Sequence, residues 1–290
     1  MKNFILLLLT IAASFIGCNN ASLFSPTADA KLDGKLDGPS GQTIIEMQIT
    51  GGFAGVSQQL LVDANRFVQF IDRRGQSGQI ETVLTTEELN RLITVFVEND
   101  FIHLKPRYID PNVADAFNYR LIYRYGGANK QVDTDYFGAP AELRVIVDHL
   151  LNLTKPLGGL ALEFKTSAEQ LKHGEKLTLT LVATNRGAAP ILLAFNSGQK
   201  YDFFTVSTSA AGLTNRVSAQ SLLWNWANDK AFILVLSNET LQPGESRTYT
   251  AEWDGRNNKG ELLEGEFALG SRLVAQPGGY SALRKVVVTK

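Results

Sequence analysis

Sulfur and histidine are nearly missing from this 290-residue chain, which has one cysteine, two methionines and three histidines. A lone cysteine excludes an internal disulfide and any multi-cysteine zinc site. His103, His149 and His173 lie far apart and none sits in an HExxH pattern, so a catalytic zinc has no ligand set. Excess charge is missing too: 28 basic residues face 29 acidic ones with no basic block. This excludes the electrostatic footprint of a nucleic-acid binder or a polybasic membrane contact and leaves protein or glycan partners.

The motifs of catalysis are equally scarce. Ser77 lies in GQSGQ, which misses the GxSxG elbow of a hydrolase. Asp254, Asn257 and Asn258 miss the calcium-loop ladder and suit a hairpin tip. Glu87 and Glu88 stand where a helix begins, and carboxylates there complement the dipole rather than form an acid–base pair. No catalytic residue, metal or cofactor is expected, and the chain does not read as an enzyme.

Long apolar runs are also few. Phe4 to Ile16 is apolar for about a dozen residues, too short for a spanning helix and the right length for a secretory core segment. The run closes on Phe15-Ile16-Gly17-Cys18, which resembles a bacterial lipobox. That resemblance implies a lipoprotein signal over residues 1–17, acylation of Cys18, and anchoring to the outer membrane or cell surface. Residues 18–41 carry the doubled tetrapeptide KLDGKLDG and read as a flexible tether.

Beyond the tether the patterns become those of folded units, large enough for two cores. In IIEMQIT, Ile45, Met47 and Ile49 alternate with polar residues, as in a half-buried strand. Residues 58–63 and 66–72 read as the next strands. Thr85 and Glu88 form a capping-box signature ahead of Leu89, Leu92, Ile93 and Phe96, which share one helical face. Phe117 to Tyr125 alternates as a long strand, and Lys130 to Tyr136 returns after a Gly126-Gly127 turn. Pro140 opens a second helix with a stripe of Leu143, Ile146, Val147 and Leu150. The expectation for residues 42–156 is an α+β domain, an antiparallel sheet with two helices.

Residues 160–290 show no helical stripe but about eight short β-rich runs at the spacing of a sandwich. The clearest are 177–185, 202–206, AFILVL at 231–236, 246–253 and 284–288. The expectation is an all-β immunoglobulin-like sandwich, with a boundary between 156 and 160.

The stretch QITGGFAGVSQQLLVD poses the functional question. Gly51, Gly52 and Gly55 mark a bend, yet Phe53 within it is large and apolar. Phe53 either folds back as a plug or is presented to a partner. Tyr201 and Trp224-Asn225-Trp226 are further aromatics beside turns, the residue types that dominate interface hot spots. Because Trp224 and Trp226 share one strand face, at least one is expected in the core.

Two family resemblances cover most of the chain after the tether. The second domain resembles the intracellular proteinase inhibitor (BsuPI-like) domain. The resemblance is carried by Phe195-Asn196-Ser197-Gly198-Gln199-Lys200-Tyr201-Asp202-Phe203, Trp224-Asn225-Trp226, Leu241-Gln242-Pro243-Gly244-Glu245, Trp253-Asp254 and Gly265-Glu266-Phe267. It departs at Asn225, where a basic residue is common, and at Glu264 and Phe267, where Pro and Tyr are common. The first domain resembles emfourin, the protealysin-inhibitor type that acts on thermolysin-like metalloproteases, through the Gly-Gly-Phe-Ala-Gly loop and the two-helix order. Both imply a protease inhibitor whose partners are thermolysin-like or subtilisin-like. The binding residues so implied are Gly52, Phe53, Ala54, Gly55, Gln199, Tyr201, Trp224 and Trp226. The alternative from another class is a non-inhibitory adhesion or assembly module of the envelope.

Overall fold

The structure, a computed structural model, describes residues 41–74, 77–208 and 222–290. The signal segment, Cys18 and the tether up to residue 40 lie outside the described residues. Those described are mostly β, with two α-helices, neither long and apolar enough to cross a membrane.

The first half is a meander with helices packed on it. Strands β1 (Thr43–Gly51), β2 (Val56–Asp63), β3 (Phe67–Asp72) and β4 (Ser77–Val83) pair antiparallel in succession. Helix α1 (Thr86–Glu98) follows with the anticipated capping box: the Glu88 N–H donates to Thr85 Oγ1 at 3.0 Å and the Thr85 N–H to Glu88 Oε2 at 2.7 Å. Leu89, Leu92 and Phe96 of α1 are buried. Beyond the short β5 (Arg107–Tyr108), strand β6 (Phe117–Tyr123) pairs with β1, and β7 (Lys130–Thr134) with β6. Phe96 of α1 stacks on Tyr123 of β6 with ring centroids 4.8 Å apart. Helix α2 (Ala141–Gly159) buries Leu143, Ile146, Val147 and Leu150, the stripe its spacing predicts.

The second half is a β-sandwich. Strands β8 (Leu160–Thr166), β10 (Leu177–Asn185) and β15 (Ser246–Trp253) form one sheet in the order β15-β10-β8. Leu177, Leu179, Leu181 and Ala183 of β10 point inward, and the intervening residues are at least partly exposed. Facing them are β12 (Tyr201–Ser207), β13 (Leu222–Asn225), β16 (Gly265–Leu273), β17 (Gly278–Ser281) and β18 (Arg284–Thr289), with β9 (Gln170–Lys172) parallel to β18. The pair β11 (Ile191–Phe195) and β14 (Ser237–Leu241) forms a separate ribbon. Phe164 of β8 meets Phe203 of β12 across the sandwich, with centroids 6.0 Å apart.

Two expectations change. No linker separates the halves: Pro156 lies inside α2, which passes directly into β8, and Leu157 and Leu160 are buried. Moreover β4 pairs antiparallel with β17, so one sheet runs from the meander into the sandwich and one apolar cluster extends through both. The AFILVL run, expected as a strand, is irregular and exposed. The reason is topological. The preceding strand β13 pairs with β12 and the following β14 with β11, so residues 226–236 must carry the chain from one sheet to another.

Candidate functional site

Two aromatic surfaces hold the residues singled out by the sequence. The first is the turn closing the β1–β2 hairpin. Its last pair is Gly51 opposite Val56, and the Gly55 N–H donates to the Gly52 carbonyl at 2.8 Å. Gly51, Gly52 and Gly55 all have positive φ, at 90°, 68° and 60°. A β-carbon at Gly52 would also come within 2.5 Å of the Phe117 ring, so any other residue would be strained by the positive φ and would have to displace that ring. Arg74 braces the far side, its guanidinium donating to the Gly55 carbonyl at 2.7 Å. Phe53 is fully exposed at the tip, next to an exposed Ala54. The plug alternative is therefore excluded, and the ring is presented to solvent.

The second surface is built on β12. Tyr201 stacks between Trp226, centroids 4.5 Å apart, and Tyr249 of β15, at 5.0 Å. The Trp226 N–H donates to the Phe203 carbonyl at 2.9 Å, which continues the β12–β13 pairing and fixes the indole over Tyr201. Lys230 Nζ lies 4.6 Å from the Trp226 ring centre, and Phe232 lies 6.0 Å from it between centroids. Trp224 leans on Trp253, which is buried and donates its indole N–H to the Arg256 carbonyl at 2.9 Å. Both Trp224 and Trp226 are half-buried, so each contributes one side to the core and one to the surface. Gln199 sits at the mouth, its amide donating to the Tyr201 carbonyl at 3.4 Å. Burial pushes the Tyr249 hydroxyl up to about 12, so it stays neutral.

Beneath the stack lies Asp202, buried and accepting from the Phe203 and Ala227 N–H groups at 2.9 and 3.0 Å and from Asn225 Nδ2 at 3.0 Å. Burial raises its pKa, and these hydrogen bonds and Arg272 pull against that rise. Asn225 is held in turn by Asn258, which accepts the Asn225 N–H at 2.9 Å. Asparagine at this position thus serves as a neutral donor to the carboxylate. The Asn257 side chain accepts the Lys259 and Glu261 N–H groups at 2.9 and 3.0 Å, the local turn bonding expected of a hairpin tip.

A cavity of about 430 Å³ opens between the halves, bordered by Glu81 of β4, Asp202, Arg272 of β16, Phe232 and Leu234. Glu81 is buried, takes a hydrogen bond from Gln79, and lies 3.7 Å from the Arg272 guanidinium. Desolvation raises its pKa against those favourable neighbours.

The two surfaces are not brought together. Six strand steps separate β12 from β1 in the shared sheet, roughly 30 Å at about 4.8 Å per strand. Sequence reasoning also missed surface residues Ile233, Leu234 and Leu236, which are strongly exposed. The available signal was the absence of alternation in AFILVL, since an apolar run without a polar face does not identify a strand by itself.

Residues 162–278 match the family described as BsuPI, intracellular proteinase inhibitor. No curated protein matches the chain. Among solved structures it is similar to a beta-glucosidase from Listeria innocua, with 17% identity over 45% of this chain and 16% of that one, at a TM-score of 0.25. It is also similar to the CARDB domain of a Pyrococcus furiosus protein solved with di-metal ions, with 14% identity over 44% and 86% of the two chains and a TM-score of 0.26. A third is Spo0M, a sporulation control protein from Bacillus subtilis, with 16% identity over 46% and 50% and a TM-score of 0.28. The chain spans about one sixth of the beta-glucosidase. At these scores the likenesses carry no functional inference.

Proposed function

We propose that this protein is a non-enzymatic inhibitor of endoproteases that binds them without covalent chemistry. The observation that carries the reading is the match of residues 162–278 to a proteinase inhibitor family, over a half whose surface presents the stacked Tyr201, Trp226 and Tyr249. Such a surface suits inhibition physically. Association costs several kcal/mol in lost freedom, and aromatic groups already locked in place leave a surplus. Gln199, Tyr201, Trp224 and Trp226 form the proposed contact of this half. In the first half, an emfourin-like mode has Phe53 as a wedge carried by Gly52, Ala54 and Gly55, supported by its full exposure on a braced turn.

Titrating the chain from residue 42 against thermolysin and against subtilisin tests the reading. Stoichiometric loss of activity of either enzyme is expected. Full activity of both in the presence of excess protein would leave the adhesion or assembly module as the better account.

Anchoring to the bacterial envelope through lipid on Cys18 is a separate part of the proposal. It is supported by the apolar run from Phe4 to Ile16 that ends at Gly17-Cys18. Labelled fatty acid should enter the wild type and not Cys18→Ser, and the variant should leave the membrane fraction.

A further inference from the structure

The run from Ala231 to Leu236 places five large apolar side chains in succession, and four of them in a row, Ile233 to Leu236, are exposed, whereas the other exposed large apolar side chains among the described residues stand singly. Leu234 is 93% exposed, Ile233 73% and Leu236 72%. Scattered exposed leucines need no explanation, but a continuous apolar segment at the surface does.

Its ends are tied and its middle is free. On one side Phe232 rests against Trp226, and the Ile233 carbonyl accepts the Gly198 N–H at 2.9 Å. On the other side Ser237 enters β14, whose residues pair with β11 from Ser237 opposite Phe195. Between these anchors, the peptide groups of Leu234, Val235 and Leu236 make no hydrogen bond with any described residue. Both the apolar side chains and the backbone donors and acceptors of this stretch are therefore available to a partner. A partner that receives it must supply main-chain hydrogen bonds and an apolar pocket together, which is how an extended peptide is recognised.

We propose that Ile233–Leu236 is the segment that enters the substrate cleft of the target, an endoprotease whose primary pocket takes a large aliphatic side chain, with Leu234 as the residue that fills it. This rests on the inhibitor reading and deepens it. The motif residues acquire a role in consequence: the Tyr201–Trp226 stack is a platform that holds Phe232, and Gly198 holds Ile233, so that the segment meets the cleft with its ends fixed. Fixed ends also reduce the ordering cost of binding. No charge lies between Ala231 and Leu236, so an apolar pocket is entered without burying an unpaired ion.

The test uses the purified full chain with subtilisin and thermolysin as probes, a serine and a metal-dependent endoprotease, so that the two arms distinguish the class. Leu234→Asp should leave the melting temperature unchanged, because the side chain is solvated, and should weaken inhibition of the responsive enzyme by about 30-fold or more. Leu234→Arg should lose the same inhibition and gain inhibition of trypsin, whose primary pocket carries a carboxylate. If the wild type inhibits one probe and both variants inhibit it equally well, the segment is not the contact, while the inhibitor reading stands. If the wild type inhibits neither probe, both fall. Rapid cleavage between 233 and 236 without inhibition, a wild-type dimer that Leu234→Asp dissociates, or binding to neutral phospholipid vesicles lost in Leu234→Asp with unaltered inhibition would each overturn the proposal.

Discussion

Gly279 of β17 lies so close to Gln79 of β4 that a β-carbon on the glycine would fall on the Gln79 carbonyl oxygen and within 2.8 Å of the Ile80 Cα. Its φ of 138° is also one that side chains with a β-carbon rarely adopt. This contact is the joint at which the meander and the sandwich become one sheet.

Gly279→Ala is accordingly expected to destabilise the protein by at least about 2 kcal/mol, from backbone strain and a forced separation of β4 from β17. Denaturant unfolding measures it. Chains 42–156 and 160–290 prepared separately should each fail to melt cooperatively, since cutting there removes the buried Leu157 from its neighbours and strips β4 of a partner. Two cooperative transitions matching those of the whole chain would show that the halves are independent after all.

Glu81 makes the same joint sensitive to pH. Burial raises its folded pKa, so between the ordinary carboxylate value and the raised one the native state holds more protons than the unfolded chain. Stability contributed by this site must then fall as pH increases through that window and stay low above it. The wild type minus Glu81→Gln difference in unfolding free energy isolates the effect, because other carboxylates cancel. A difference that grows with pH would mean that pairing with Arg272 outweighs burial.

Phe53→Ala should change stability by no more than about 0.5 kcal/mol, as expected of a fully solvated side chain. If the turn is a protease wedge, affinity for a thermolysin-like enzyme should drop by about 2 kcal/mol or more. Unchanged inhibition in both probe enzymes would remove Phe53 from the contact.

Trp226→Ala removes the ring that Tyr201, Lys230 and Phe232 all touch. About 2 kcal/mol of stability should be lost, from burial together with stacking geometry. Inhibition by the folded fraction should weaken as well, because Phe232 loses its support. An inhibition constant unchanged after correction for unfolding would separate the platform from the binding segment.

What the sequence determined unaided was what depends on near neighbours. Thr85 and Glu88 three residues apart specify a helix start, the Leu143-Ile146-Val147-Leu150 spacing specifies a face, and the alternation of β10 specifies which side is inward. Glycines at 51, 52 and 55 specify a tight turn. The tertiary structure decided everything that depends on remote partners. Strand β4 reads as polar, yet it is central and buries Gln79, Glu81 and Thr82, because β3 and β17 pair with it from both sides. Phe53 is solvated because the turn projects it outward, a direction that composition does not encode. The AFILVL run is apolar enough for a buried strand but carries no alternation to specify one, and it lies exposed because hydrogen-bond partners and burial belong to neighbours far along the chain, and here those places are taken by other strands.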